Sequence, residues 1–312
     1  MRRNMTVSTS PIRKKTKTLK KNDTQYDESK IKTLSPLEHI RLRTGMYIGR
    51  LGSGTDPDDG IYVLLKEVVD NSIDEYIMGH GKNIDISIQN DKVSIRDYGR
   101  GIPLGKIIEC VSVINTGAKY NDDVFQFSVG LNGVGTKAVN ALSSHFRVVA
   151  YREGKYAEAT FSQGNLLSRK KKGTTTEKDG TLVEFEPDED IFGEYAFNHE
   201  FVEKRMSNYA CLNSGLRLNY NGQKFESKHG LLDLLRTEAG DGMIYEPAYY
   251  KAKQLEFALT HIDGYGESYR SFVNGQYTSD GGTHQSAFRE GIFKGVNEFY
   301  KKNYNSVDVR DG

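Results

Sequence analysis

Polar side chains recur at helical spacing within residues 59–81, and their types could do chemistry. Glu67, Asn71 and Asp74 stand at positions i, i+4 and i+7, so a helix would place a carboxylate, a carboxamide and a second carboxylate on one face. A solvated face is the commoner fate of such a triplet. The motifs that follow in the chain decide between a hydrated surface and a functional site.

The apolar residues of the same segment predict one long amphipathic helix that ends at a glycine. They recur at intervals of three and four residues: Ile61, Leu64, Leu65, Val68, Val69, Ile73, Tyr76 and Ile77. Beyond residue 83 the period changes from 3.6 to 2, and alternating residues on either side of Asn90-Asp91 predict a β-hairpin. The hairpin ends at Asp97, ahead of Gly99 and Gly101, which places a carboxylate where the backbone can approach a ligand closely.

Three further glycines, Gly130, Gly133 and Gly135, precede a predicted helix at 137–142. Their bare N–H groups and the positive end of the helix dipole could bind an anion, and a flexible surface loop is the alternative. The standard nucleotide motifs fit poorly. Leu104 stands where G-x-G-x-x-G needs its third glycine, and the P-loop order of lysine before threonine is reversed in Thr136-Lys137.

Size and composition are those of a soluble two-domain protein. The 312 residues include 43 Lys and Arg against 42 Asp and Glu, so net charge neither favours nor excludes nucleic acid. Residues 1–21 carry basic residues and no acidic one, which predicts a disordered tail that could contact DNA phosphates or only aid solubility. No apolar run is long enough to span a bilayer. We expect Cys110 and Cys211 to be buried free thiols in a reducing compartment.

The remaining patterns predict a chain of mixed helices and strands with a domain boundary near His229. Ser35, followed by Pro36 and then by Glu38, predicts a capping box at a helix start. In chain order, the patterns then predict strands at 146–152, 156–162 and 181–186, a basic loop at 169–172, a helix at 198–212, a hairpin at 216–225, a helix at 231–236, an acidic linker at 238–242, strands near 255–262 and 269–273, and a helix to about residue 302.

Four motifs resemble the nucleotide-binding motifs of the GHKL ATPases: EVVDN (67–71), DYGRGIP (97–103), GLNGVGTKAVNAL (130–142) and DGT (179–181). RTGMYIG (43–49), VDNSIDE (69–75) and GGTH (281–284) narrow the resemblance to the B subunits of bacterial type IIA topoisomerases. The topoisomerase IV B subunit is the first candidate and the gyrase B subunit the second. The resemblance implies an α+β chain, with a GHKL (Bergerat) two-layer α/β sandwich and a mixed sheet, followed by an incomplete transducer α/β domain.

The resemblance also implies a domain organisation and a function. A disordered basic tail would occupy 1–25, a GHKL ATPase domain with an N-terminal arm 26–228, and the transducer domain 229–312. The chain would be an ATP-operated gate that uses ATP and Mg²⁺, forms a homodimer on ATP binding and captures a DNA segment. Its partner would be a topoisomerase A-type subunit that carries the cleavage tyrosine, in the cytoplasm at the nucleoid. Another GHKL ATPase of mismatch-repair or chaperone type, a nucleotide-binding module with little turnover, and an unrelated protein that binds DNA through its basic tail remain alternatives.

Site residues follow from the same resemblance. Glu67 would be the general base for the water that attacks the γ-phosphate, and Asn71 would hold Mg²⁺. Asp97 would accept from the adenine amino group with support from the Thr181 hydroxyl, and Asp74 would brace the floor of the site. The other implied ATP-binding residues are Tyr26 of the N-terminal arm, Gly101, Ile102, Pro103, Lys119, Gly130, Leu131, Asn132, Gly133, Val134, Gly135 and Thr136, with Arg100 and Arg152 at the rim.

One expected element has no counterpart in the sequence. In the family, a lysine that contacts the γ-phosphate lies in a Gln-Thr-Lys loop, and the 312 residues contain no such tripeptide. The resemblance therefore implies that these residues bind ATP, hydrolyse it slowly and do not relax DNA by themselves.

Overall fold

The computed structural model describes Glu28, residues 31–116 and residues 133–304. The chain divides into two compact units, residues 1–34 and Ser35–Gly312, and the elements below belong to the second. Several sequence predictions lie outside the described residues: the disordered tail at 1–25, and the site residues Tyr26, Lys119, Gly130, Leu131 and Asn132.

Runs of helices and runs of strands follow one another along the described part of the chain. The helices are α1 (Pro36–Leu42), α2 (Gly45–Ile48), α3 (Gly60–Ile77), α4 (Ile107–Ser112), α5 (Gly135–Ala141), α6 (Glu189–Phe192), α7 (His199–Leu212), α8 (Leu231–Ala239) and α9 (Thr283–Tyr304). The strands are β1 (Asn83–Gln89), β2 (Lys92–Asp97), β3 (Ser143–Arg152), β4 (Lys155–Ser162), β5 (Asn165–Thr174), β6 (Gly180–Pro187), β7 (Arg217–Tyr220), β8 (Gln223–Phe225), β9 (Ala248–Lys251), β10 (Glu256–Leu259), β11 (Phe272–Val273) and β12 (Gln276–Tyr277).

One eight-stranded mixed sheet carries the larger part of the fold. Its strand order is β5-β4-β3-β6-β2-β1-β7-β8. Neighbouring strands are antiparallel, except that β1 and β7 are parallel. Burial alternates along the central strands, as in β2, because one face of the sheet packs under the helices. The result is a two-layer α/β arrangement.

Helix α3 is the central element of the helical layer. Its residues Ile61, Leu64, Leu65, Val69 and Ile73 are fully buried in one core cluster. That cluster includes Ile84, Ile86 and Ile95 of the β1–β2 hairpin. Burial of this apolar face therefore fixes the rotation of α3 about its own axis, and with it the direction of its polar side chains.

Several sequence predictions are confirmed. Ser35 caps α1 with its hydroxyl, and the Glu38 carboxylate accepts from the Ser35 N–H, which completes the capping box. The β1–β2 hairpin turns at Asn90 and Asp91, both in the left-handed region, as its polar turn residues predict. Both cysteines are free thiols. Cys211 is buried as expected, whereas Cys110 is only partly buried.

The prediction of a basic loop at 169–172 is wrong. These residues lie within β5, which pairs antiparallel with β4 at the edge of the sheet. An edge strand needs ladder hydrogen bonds on one side only, so it forms without the alternating apolar residues that indicate a half-buried strand. The acidic linker at 238–242 is also partly wrong, because α8 continues to Ala239 and a 3₁₀ turn, Gly240–Gly242, follows. Across the described ranges, no helix is both long enough and apolar enough to cross a membrane.

Two isoleucines of α3 test how strongly its buried face supports the fold. Ile73 is fully buried, whereas Ile77 is 41% exposed on the same helix. We expect Ile73→Ala to lower the free energy of unfolding by about 2–5 kcal/mol, because it removes buried methyl groups and leaves a cavity. Ile77→Ala is the matched control and should cost far less. Urea unfolding followed by circular dichroism measures both, and equal losses would contradict the placement of this face.

Candidate active site

A cavity of about 780 Å³ opens beside α3. Its walls come from α2, α3, the end of β2 and the segment after it, α4, the start of α5, the end of β3, and β6. Among the described residues, it brings together these sequence-predicted site residues: Glu67, Asn71, Asp74, Asp97, Arg100, Gly101, Ile102, Pro103, Gly133, Val134, Gly135, Thr136, Arg152 and Thr181. Elements that are far apart in sequence thus contribute to one hollow.

The side chain of Asn71 joins α3 to the start of α5. Its Nδ2 donates to the carbonyl of Glu67 at 2.7 Å and to Oγ1 of Thr136 at 2.8 Å. The first contact is the i to i−4 geometry of a helix, and the second spans 65 residues of sequence. These two donations fix the orientation of the carboxamide at the cavity wall.

The Glu67 carboxylate lies directly against the backbone at Gly135. A Cβ atom added at Gly135 would stand 1.8 Å from Glu67 Oε2, well inside any van der Waals contact. Only glycine therefore lets the carboxylate approach the first turn of α5 so closely. On its other side, Glu67 Oε1 lies 3.6 Å from the ammonium of Lys66.

Asp97 lies at the end of β2, where its side chain is almost fully buried. Its Oδ1 accepts the N–H of Gly99 at 2.9 Å and the N–H of Thr181 at 3.2 Å. Burial raises the pKa of Asp97 from 3.8 to about 6, although both hydrogen bonds favour the charged form. The observed contact from Thr181 is its backbone amide, whereas the sequence prediction concerned its hydroxyl.

Gly180 makes this contact possible. It has a φ of +136°, and a Cβ atom there would stand 2.1 Å from the carbonyl oxygen of Asp97. A larger residue would push β6 away from the end of β2 and break the donation from Thr181. The glycine of the DGT motif is thereby explained by close backbone packing.

The cavity also contains an ion pair between Arg100 and Glu75. The sequence predicts Arg100 at the site but does not predict its partner, Glu75. Arg100 donates from its side chain to both carboxylate oxygens of Glu75, at 2.9 and 3.0 Å, and its backbone N–H donates at 2.9 Å. Burial alone would raise the pKa of Glu75, but the bonds from Arg100 outweigh it and the pKa is lowered. Glu75 stands four residues after Asn71, so the helical period of α3 could have placed it at the site. Arg152 pairs with Glu153 at 3.3 Å.

The side chains of Glu67 and Asn71 offer oxygen atoms as possible metal ligands. In the described part of the chain, no group of three or more His, Cys, Asp or Glu side chains could hold a metal ion. A metal here would therefore depend on the carboxamide of Asn71 together with oxygens of a bound molecule and water. Mg²⁺ fits such a donor set, because it prefers hard oxygen ligands and usually keeps several waters.

Two family models match the chain. Residues 56–191 match the family described as Histidine kinase-, DNA gyrase B-, and HSP90-like ATPase, and residues 220–311 match the family described as DNA gyrase B. The B subunit of DNA topoisomerase 4 from Borreliella burgdorferi is 65% identical over 289 residues, which cover 92% of this chain and 48% of that protein. The chain belongs to the GHKL ATPase region of the type IIA topoisomerase B-subunit family.

Two further relatives share lower identity with the chain. The DNA gyrase B subunit of Campylobacter jejuni is 35% identical, and the match covers 92% of this chain and 40% of that protein. The crystal structure of the 43K ATPase domain of Thermus thermophilus gyrase B, in complex with an aminocoumarin, matches with a TM-score of 0.69 at 27% identity and covers 88% of this chain and 76% of that one. The mixed-sheet GHKL fold is therefore confirmed. The chain spans about half the length of the curated relatives, 48% and 40% in these two cases.

The raised pKa of Asp97 predicts a pH-dependent cost of folding. The folded state holds this proton more tightly than the unfolded chain, so stability falls as pH rises from about 4 to about 6. Asp97→Asn removes the titration and keeps an oxygen for Gly99 and Thr181. We expect the stability of this variant relative to wild type to increase across that window and then level off.

Denaturant unfolding of both proteins at several pH values measures this difference. Asp241→Asn is the matched control, because Asp241 is exposed and its substitution should change stability little. A constant difference between Asp97→Asn and wild type from about pH 4 to about pH 7 would contradict the burial of an ionisable carboxyl at this position.

Proposed function

We propose that the chain binds ATP in this cavity and hydrolyses it, as the ATPase gate of a type IIA topoisomerase. The observation that carries the proposal is the convergence of Glu67, Asn71 and Asp97, from two different elements, on one hollow. Asp97 uses Oδ1 for two backbone amides, so its Oδ2 would accept from the adenine amino group. Ile102 and Pro103 would line the adenine slot.

Glu67 would act as the general base. Hydrolysis needs a water molecule held in line with the γ-phosphate, and a carboxylate can orient that water and accept its proton. The close contact with Gly135 and the neighbouring Lys66 ammonium position the carboxylate before nucleotide arrives. Such preorganisation favours the transition state, because little reorganisation is left for the reaction itself.

Asn71 would hold Mg²⁺ through its side-chain oxygen, and the ion would neutralise phosphate charge when bound. Its Nδ2 already donates to Glu67 and Thr136, which supports a carboxamide held in one orientation. The backbone around Gly133, Val134, Gly135 and Thr136 would contact the phosphates. Tyr26, Lys119, Gly130, Leu131 and Asn132 complete the proposed site.

The domain organisation is proposed in the same terms. The GHKL ATPase domain with its arm would occupy residues 26–228 and the transducer domain residues 229–312, after a basic tail at 1–25. The two matched ranges, 56–191 and 220–311, support this division. The separate hairpins β9–β10 and β11–β12 and the long helix α9 all lie beyond residue 229.

The biological role is proposed from the relatives. Identity of 65% to the B subunit of a topoisomerase 4, against 35% to a gyrase B subunit, favours topoisomerase IV. ATP binding would then drive homodimerisation and capture of a DNA segment, with an A-type subunit supplying the cleavage tyrosine, in the cytoplasm at the nucleoid. Without the Gln-Thr-Lys tripeptide, turnover by these 312 residues would be slow and DNA would not be relaxed.

Two variants separate binding from hydrolysis. Glu67→Gln should lower ATP turnover about 100-fold or more, because it removes the general base. It should leave the affinity for a non-hydrolysable ATP analogue within about threefold of wild type, since Glu67 is proposed to contact water and not nucleotide. Asp97→Asn should abolish measurable binding, because the amide oxygen of the variant would stay with Gly99 and Thr181 and its NH₂ group would face the adenine amino group.

Phosphate release and isothermal titration calorimetry measure these effects. Glu194→Gln is the matched control for the loss of one carboxylate, because Glu194 is exposed in the loop after α6. Unchanged phosphate release by Glu67→Gln would contradict the proposed base. Unchanged heat of binding by Asp97→Asn would contradict the proposed adenine contact.

Gly135 provides an independent test of how Glu67 is positioned. Gly135→Ala would place a methyl group 1.8 Å from the present position of Glu67 Oε2, so the carboxylate must move. We expect turnover to fall about tenfold or more, while the fold is kept. Gly105→Ala is the matched control, because an added Cβ there meets nothing within 4 Å. Equal turnover by the two alanine variants would show that the Gly135 contact has no role.

A further inference from the structure

A buried carboxylate stands between the proposed base and the proposed metal ligand in the sequence of α3. Asp70 of α3 is 1% exposed, and it stands three residues after Glu67 and directly before Asn71. Its Oδ1 accepts the hydroxyl of Tyr209 at 2.6 Å. Its Oδ2 accepts the ammonium of Lys66 at 2.8 Å and the amide of Gln276 at 3.1 Å.

These three donors come from separate parts of the chain. Lys66 lies on α3, Tyr209 on α7, and Gln276 on the two-residue strand β12, which is 206 residues away from Asp70 in sequence. Burial, together with the charge of Asp70, raises the pKa of Tyr209 well above its ordinary value, so the phenol stays protonated and donates. A buried carboxylate needs hydrogen-bond donors of this kind, because a buried charge without partners destabilises the folded state.

Lys66 extends this set of contacts to the base. Its ammonium lies 2.8 Å from Asp70 Oδ2 and 3.6 Å from Glu67 Oε1, so one cation contacts both carboxylates. A continuous path of polar contacts therefore runs from Gln276 through Asp70 and Lys66 to Glu67. Asp97, the proposed adenine contact, lies on β2 and takes no part in these bonds.

We infer that Asp70 is a positioning residue, which couples the β11–β12 hairpin to the Glu67 carboxylate through Gln276 and Lys66. When the hairpin is seated, Gln276 and Lys66 share Asp70 Oδ2, and Lys66 holds Glu67 in place. When the hairpin moves away, Asp70 loses a donor and Lys66 shifts toward it. The inference rests on the proposed function, because it assigns the hairpin control over the rate of hydrolysis and none over nucleotide affinity.

Gln276→Leu tests the inference directly, because it keeps the approximate size of the side chain and removes the amide donor. Single-turnover hydrolysis of radiolabelled ATP by excess protein measures the rate constant even when turnover is slow. The rate constant should fall about three- to tenfold, while the affinity for a non-hydrolysable ATP analogue stays within about twofold of wild type. Gln223→Leu is the matched control at an exposed position of β8 and should match wild type.

A swapped pair supplies the rescue. In the double variant Asp70→Asn with Gln276→Glu, the amide would donate from position 70 and the carboxylate would accept at position 276, close to Lys66. This double variant should be faster than Asp70→Asn alone by about threefold or more, because the contact path is restored. A rescue of the rate constant without a matching rise in melting temperature separates positioning from restored stability, because a swapped pair can repair both.

A Gln276→Leu rate constant equal to wild type, or rate, affinity and melting temperature that fall together without rescue, would overturn the role of Asp70. If wild type hydrolyses ATP and Glu67→Gln does not, that result would leave the proposed function standing. If wild type neither binds the analogue nor hydrolyses ATP, the proposed function and the inference both fail.

Discussion

Burial of the apolar side of α3 is the constraint on which the rest of the site depends. Ile61, Leu65 and Ile73 are fully buried, so the helix cannot rotate without exposing them. The same helix must therefore present Glu67 and Asn71 to the cavity. The chemistry is positioned by hydrophobic packing, and the polar contacts to α5 then fix each side chain within that frame.

Burying the carboxylates Asp70 and Asp97 costs free energy, and the two residues offset that cost to different extents. Asp70 receives three donors, including an ammonium and a phenol. Among the described residues, Asp97 receives two backbone amides on one oxygen, and burial raises its pKa to about 6. The difference fits the roles proposed for them: Asp70 is satisfied within the fold, whereas Asp97 would keep an acceptor for the adenine amino group. A perturbed pKa in a cleft is characteristic of functional positions.

The sequence predicts the elements whose patterns are local. The period of α3, the capping box at Ser35 and the β1–β2 hairpin each depend on residues a few positions apart, and the structure contains all three. Strand β5 resembles a loop in sequence because edge pairing leaves little trace in side-chain type. The sequence does not predict the contact between Asp70 and Gln276, because no local pattern links positions 206 residues apart.

The proposed function requires that a purine nucleotide lie with its base at Asp97 and its phosphates at Glu67 and Asn71. A crystal structure of the chain with Mg²⁺ and a non-hydrolysable ATP analogue tests it most directly. The account predicts the adenine amino group within hydrogen-bonding distance of Asp97, the metal on the Asn71 side-chain oxygen, and a water between Glu67 and the γ-phosphate. A nucleotide bound elsewhere, or in this cavity with its base away from Asp97, would contradict it.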